Sequence, residues 1–104
     1  MTLELETWDE ARHGPLSEAA FRRKLKAEGY SVSRYVYPPG THFPDHQHDV
    51  DKKDAVLAGR FLMRMHGQEI VLEAGDCLTV PCGAVHSATV VGEVSVISLD
   101  AIRR

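Results

Sequence analysis

Cysteine is scarce in this chain: Cys77 and Cys82 are the only two in 104 residues. They do not form a Cys-x-x-Cys pair and are too few for a disulfide framework, which excludes a small cross-linked secreted scaffold. Long apolar runs are also missing, and none approaches the roughly 20 residues that a membrane-spanning helix needs. Positive charge is in deficit, with 12 Lys and Arg against 15 Asp and Glu, a net charge of -3 and a pI near 6.0. That balance leaves no electrostatic footprint for nucleic acid. The first residues are acidic and lack the basic-then-apolar pattern of a secretion signal. A soluble cytoplasmic protein with neither a membrane nor a nucleic-acid partner is the expectation. No internal repeat and no low-complexity segment is present.

What remains is enough for one domain with one continuous core, since 43% of the residues are hydrophobic. Ser17 is placed to cap a helix from Glu18 to about Glu28, and Gly29 sits where helices stop. Phe21 and Leu25 share one face of that helix, and Arg22, Arg23, Lys24 and Lys26 cover much of the rest. This predicts a helix packed on a sheet, not one that reads DNA. From Tyr30 the pattern changes to period two as far as Tyr37, where Pro38-Pro39-Gly40 breaks it. Further strands are predicted at 54–58, 60–65, 69–72, 77–80, 86–91 and 94–99, with a hairpin tip at His66-Gly67-Gln68. Many short strands spaced by turn residues predict an all-β fold, an antiparallel sandwich or barrel, with one N-terminal helix. The division expected is an N-terminal segment and helix over 1–29, packed on the β-structure over 30–104.

The histidines carry the chemistry. His46 and His48 are two residues apart, so an extended strand directs both to one face about 7 Å apart. His86 follows a Pro81-Cys82-Gly83 turn. Three imidazoles on one inward face are the makings of a metal site. His42 shares the parity of His46 and His48, but Pro44 intervenes and bends the chain, so His42 is read as a loop histidine, with a role as fourth ligand left open. His13 and His66 are assigned to solvent, and Asp49 and Asp51 to a solvated turn. Phe61, Met63 and Met65 alternate along one strand and read as core.

In this arrangement the sequence resembles the cupin superfamily. That family's first motif runs Gly, five residues, His-x-His, three or four residues, Glu, six residues, Gly, and Gly40, His46, His48 and Gly59 fall in its register. The second runs Gly, five residues, Pro-x-Gly, two residues, His, three residues, Asn, and Gly75, Pro81, Gly83 and His86 match. The resemblance implies a jelly-roll barrel, with His46, His48 and His86 as ligands of a divalent transition metal. Zinc, iron, nickel, manganese and copper are not distinguished, and a metal-free form stays open. Homodimers are common in the resembling family and are plausible here.

Two positions depart from the motifs: Lys52 stands at the Glu position and Val90 at the terminal Asn. Unit charges 4 Å apart at an effective dielectric near 20 interact by ~4 kcal/mol, so an ammonium facing a divalent ion is strongly adverse. The metal is absent, or Lys52 swings aside and is neutralised by an acid, or the metal drives the amine neutral. Asp54 shares the strand parity of Lys52, which predicts an inward ion pair beside the histidines, and both are candidate catalytic residues. Asp54 is short for the role of the missing Glu, so the ion pair is the reading taken, with ligation by Asp54 left open. One functional reading is a metal-dependent enzyme on a small molecule, dioxygenase-like or isomerase. Cupin iron enzymes that oxidise thiols use such a triad, and Tyr35 and Cys82 are the residues to inspect for that chemistry. The alternative is a metal-free sensing or binding barrel in which Lys52 anchors an anionic ligand, any DNA-binding partner being a separate chain.

Overall fold

The computed structural model describes residues 2–104. Its elements run β1 (Leu5–Thr7), α1 (Glu10–His13), α2 (Glu18–Ala27), β2 (Ser31–Tyr37), β3 (His42–His46), β4 (Asp51–Ala58), β5 (Arg60–Met65), β6 (Gln68–Leu72), β7 (Asp76–Val80), β8 (His86–Val91) and β9 (Val96–Arg103). Two antiparallel sheets result, one in the order β1-β7-β4-β9-β2 and the other β3-β8-β5-β6. They face each other across a core of Val56, Leu78, Val80 and Val96 from the first and Phe61, Met63, Leu72 and Val90 from the second. Among the described residues, hydrogen bonding does not join the two sheets into one closed barrel. No helix is long and apolar enough to cross a membrane.

In the five-stranded sheet the central strands β4, β7 and β9 are buried on both faces, while the edge strands β1 and β2 are largely exposed. The sheet's inner face meets the other sheet, and its outer face carries Ala55, Cys77, Leu99 and Ala101 beneath α2. The helix forms as its sequence dictates: the Ser17 hydroxyl accepts from the Ala20 amide at 3.1 Å, and Phe21 and Leu25 are fully buried against the sheet. Its charged flank closes a ring in which Lys24 and Lys53 each contact both Glu6 and Glu28, at 2.6 to 3.1 Å. That ring ties β1, α2 and β4 together.

Several local expectations need correction. A second helix, the single turn α1, is capped by Asp9, whose carboxylate accepts from the Ala11 and Arg12 amides. The strand predicted from 54 begins at Asp51, so Asp51 is no turn residue; it accepts from the Cys82 amide at 3.0 Å. The last strand starts later than predicted and runs on to Arg103. His42 opens a strand and is not in a loop. Pro44, which has no N–H to donate, marks a bulge between Phe43 and His46. The extra residue reverses the parity, so His46 faces inward while His42 lies outside, with Nδ1 2.7 Å from Thr89 Oγ1.

Candidate metal centre

Three segments bring the imidazoles together. The β3 bulge turns His46 inward, the connection after it carries His48, and β8 opens on His86 directly across from His46 in the ladder. The connection is fastened to the second turn by the Gly83 amide, which donates to the His48 carbonyl at 2.8 Å. One ring nitrogen from each histidine lies within 4.8 Å of the other two, the one such cluster of ligating side chains among the described residues.

The tautomers are set by neighbouring backbone. His46 Nδ1 is 2.7 Å from the Pro44 carbonyl, and His86 Nδ1 is 2.9 Å from the Ala84 carbonyl. A carbonyl can only accept, so each Nδ1 carries the proton and each Nε2 keeps a free lone pair. His48 Nε2 is buried with no hydrogen-bond partner in the protein. A buried polar atom left unmatched costs about 1–3 kcal/mol. A cation held among the three ring nitrogens would give this atom a partner. Burial, with help from Lys52 and His46, holds His48 below the usual imidazole range, and burial does the same to His86. Both therefore favour the neutral form that ligates metal. The donor set fits a late divalent ion.

These histidines open into a cavity of about 310 Å³ between the two sheets. One wall is aromatic: Tyr37 stacks on Phe61 at 5.7 Å and meets Phe43 edge-on at 5.0 Å. Another part of the lining is charged. Lys52, 8% exposed, extends Nζ to 2.6 Å from Asp100 and 3.7 Å from Asp54. The contact with Asp100 is an ion pair without hydrogen-bond alignment. Burial pulls the Lys52 ammonium down, but Asp54 and Asp100 outweigh it and hold the pKa above the ordinary lysine range. Of the three arrangements open to this lysine, the geometry is the second, a cation swung aside and neutralised by acids. Lys53 cannot serve at the same position, because the next residue of a strand faces the other way, here into the Glu6 and Glu28 ring.

The pairing of Lys52 with Asp54 was legible from strand parity, whereas Asp100, the nearer partner, was not anticipated. The predicted end at Leu99 left it out, although the alternation Val96, Ser98, Asp100 continues on the inner face. Tyr37 and Ser98 also line the cavity and were not singled out. Phe61 and Met63 serve both as core and as cavity wall. Tyr35 and Cys82 lie outside it, one 45% exposed and the other in the exposed turn. A larger depression of about 800 Å³ lies between the helices and the outer sheet face, away from the triad.

The model of the cupin domain matches residues 33–101. Among solved structures, DMSP lyase DddQ from Ruegeria pomeroyi is 25% identical with a TM-score of 0.66. That match covers 73% of this chain but only 39% of the lyase. KdgF from a Halomonas species is 22% identical with a TM-score of 0.64, covering 73% of this chain and 71% of its own. A predicted oxalate decarboxylase from Thermotoga maritima is 22% identical with a TM-score of 0.65, covering 97% and 79%. The likeness to these last two is one of fold. No curated protein matches the chain. With the family model spanning most of its length, and its two histidine motifs meeting at one site, the chain belongs to the cupin family.

Proposed function

We propose that this cupin binds a divalent transition metal through His46, His48 and His86 and acts on a small organic molecule in the adjoining cavity. The observation that carries the reading is the convergence of the three imidazoles, with two tautomers fixed by carbonyls and His48 Nε2 buried without a partner. Three neutral ligands leave coordination positions free, and the bound ion would supply Lewis acidity toward a substrate oxygen. The chain's own residues do the rest. Tyr37, Phe43 and Phe61 offer an apolar surface that orients the substrate and limits water, while Lys52 and Asp54 bring charge to the same cavity. An oxidase of the dioxygenase type or a metal-assisted isomerase suits this layout, and the lyase and decarboxylase names among similar structures lie in the same range of chemistry. The alternative of a metal-free barrel anchoring an anion on Lys52 gains nothing from the geometry, since two internal carboxylates already hold that ammonium.

Metal analysis of protein purified without chelator tests the proposal. One equivalent of a divalent transition metal is expected in the wild type, and a His86→Ala variant should lose nearly all of it. A wild type that cannot be loaded with metal, or a variant that retains its full complement, overturns the reading.

A further inference from the structure

Asp100 changes the character of the charged wall. It is the direct cross-strand partner of Asp54 in the β4–β9 ladder, both on the inner face. Like charges directly opposite on antiparallel strands are destabilising. On its other side Asp54 faces Leu78 of β7, which offers no polar group. Asp54 is 7% exposed. One ammonium, Lys52, serves two carboxylates, so one negative charge is left over in a buried site. The remaining polar groups on the cavity are the Tyr37 phenol from β2, Ser98 from β9, and the imidazoles of His46, His48 and His86. None of them is a fixed cation. A proton held between the carboxyls is the simplest way to balance the charge. In keeping with this, Asp54 is pushed up to about 6, by burial first and by Asp100 as well, against the pull of Lys52.

We propose that Asp54 and Asp100 share one proton and form the acid–base pair of the cavity, moving a proton on and off a substrate carbon while Lys52 positions them. This rests on the reading that the substrate is held at the histidine triad. The ionised carboxylate takes a proton from the hydroxyl-bearing carbon next to the carbonyl. As the C–H electron pair moves into a new C=C bond, the carbonyl oxygen takes the proton that the carboxyl pair holds, giving an enediol. The other hydroxyl proton then returns to the carboxyl pair, and the carboxyl delivers a proton, the one it took or one exchanged from water, to the former carbonyl carbon. No electrons leave the substrate and no co-reactant is consumed, which makes the reaction a redox-neutral isomerisation. The substrate class is a small, uncharged α-hydroxy carbonyl compound. Two oxygens would face the triad, the size is bounded by the cavity of about 310 Å³, and Lys52 is already engaged and offers no free cation to a carboxylate.

Two measurements decide it. In metal-free protein carrying ¹³C-labelled aspartate, the carboxyl signals of the pair should titrate in two separated steps, one of them above the ordinary carboxylate range. In Asp100→Asn, Asp54 has Lys52 to itself, and its midpoint should fall by at least one pH unit, a tenfold loss of proton affinity. The reciprocal Asp54→Asn variant should abolish the high step. An Asp54 midpoint unmoved in Asp100→Asn means that burial alone sets it, and overturns the shared proton. Next, zinc-loaded wild type in D₂O with hydroxyacetone as the probe should exchange the probe's C–H protons faster than buffer. Asp100→Asn should slow this at least tenfold with its zinc content unchanged. No exchange above buffer by zinc-loaded wild type overturns the acid–base role. A wild type that fails to hold zinc strikes the triad reading instead, and the metal-free titration still decides the shared proton.

Discussion

Replacing Lys52 with methionine keeps the length of the side chain and removes its charge from between Asp54 and Asp100. The ammonium lies 2.6 Å from one carboxylate and 3.7 Å from the other, and its side chain is 10% exposed. At an effective dielectric near 20, each contact is an attraction of roughly 4–6 kcal/mol. Returning the ammonium to water recovers much of this, and removing one partner of a buried pair costs about 3–5 kcal/mol net. The loss should depend on pH. Asp54 sits at about 6 in the folded protein against an ordinary 3.8. A raised carboxyl contributes stability that is complete below the ordinary value and lost as pH rises through the folded one. Without Lys52 its folded pKa moves higher still, so the variant should lose the full 3–5 kcal/mol near pH 8 and under about 2 kcal/mol near pH 5, where protonation removes the repulsion. Urea unfolding of both proteins at the two pH values measures the difference. A loss that is equal at both, or below about 1 kcal/mol at pH 8, refutes the assignment of Lys52 as the neutralising cation.

Asp54→Asn removes the carboxylate that burial disfavours, and the interval from 3.8 to about 6 bounds the gain at about 3 kcal/mol at pH 8. Its urea midpoint should rise there and not at pH 4. Lys53→Met opens the ring with Glu6 and Glu28 on the outer face, where the partners are 48% and 31% exposed. A cost of about 1–2 kcal/mol is expected, seen as a lower thermal midpoint. Gly59→Ala places a Cβ 2.5 Å from the Ser95 carbonyl oxygen at a backbone φ of +82°, so the start of β9 must shift. The cost should exceed about 3 kcal/mol by urea unfolding. Gly83→Ala, with φ +78° and open space around it, should cost only about 1 kcal/mol.

Much of the site was readable because motif spacing, strand parity and turn chemistry all operate over a few residues. His46 and His48 come from a two-residue interval, and His86 from its distance to Pro81 and Gly83. The Lys52–Asp54 pair follows from the same period. What stayed hidden depended on register between distant strands. Asp100 meets Lys52 and Asp54 only because β9 pairs with β4 in one alignment, and no local pattern states that alignment. A charged residue also ends an apolar run when read alone, which is why β9 was predicted to stop one residue short of it. His42 shows the converse, since its parity matched the ligands and a bulge of one residue at Pro44 removed it from their face. β1 and α1 are too short to show a period, and β1 owes its place to pairing with β7 and to Glu6 in the ion ring.

The adjacent lysines of β4 point to opposite faces, each toward its own pair of acids. If the strand slid by one residue, every side chain would change face. The two lysines would then exchange roles at little cost, because acids await a cation on both sides. Asp54 and Ala55 would not exchange so easily. Moved one place onward, the carboxylate would land under α2 among Phe21, Leu25 and Leu99, with apolar neighbours, and Ala55 would fill the place of Val56 in the inner core only in part. The position of this central strand is therefore encoded less by its conspicuous charges than by the small difference between an aspartate and the alanine that follows it.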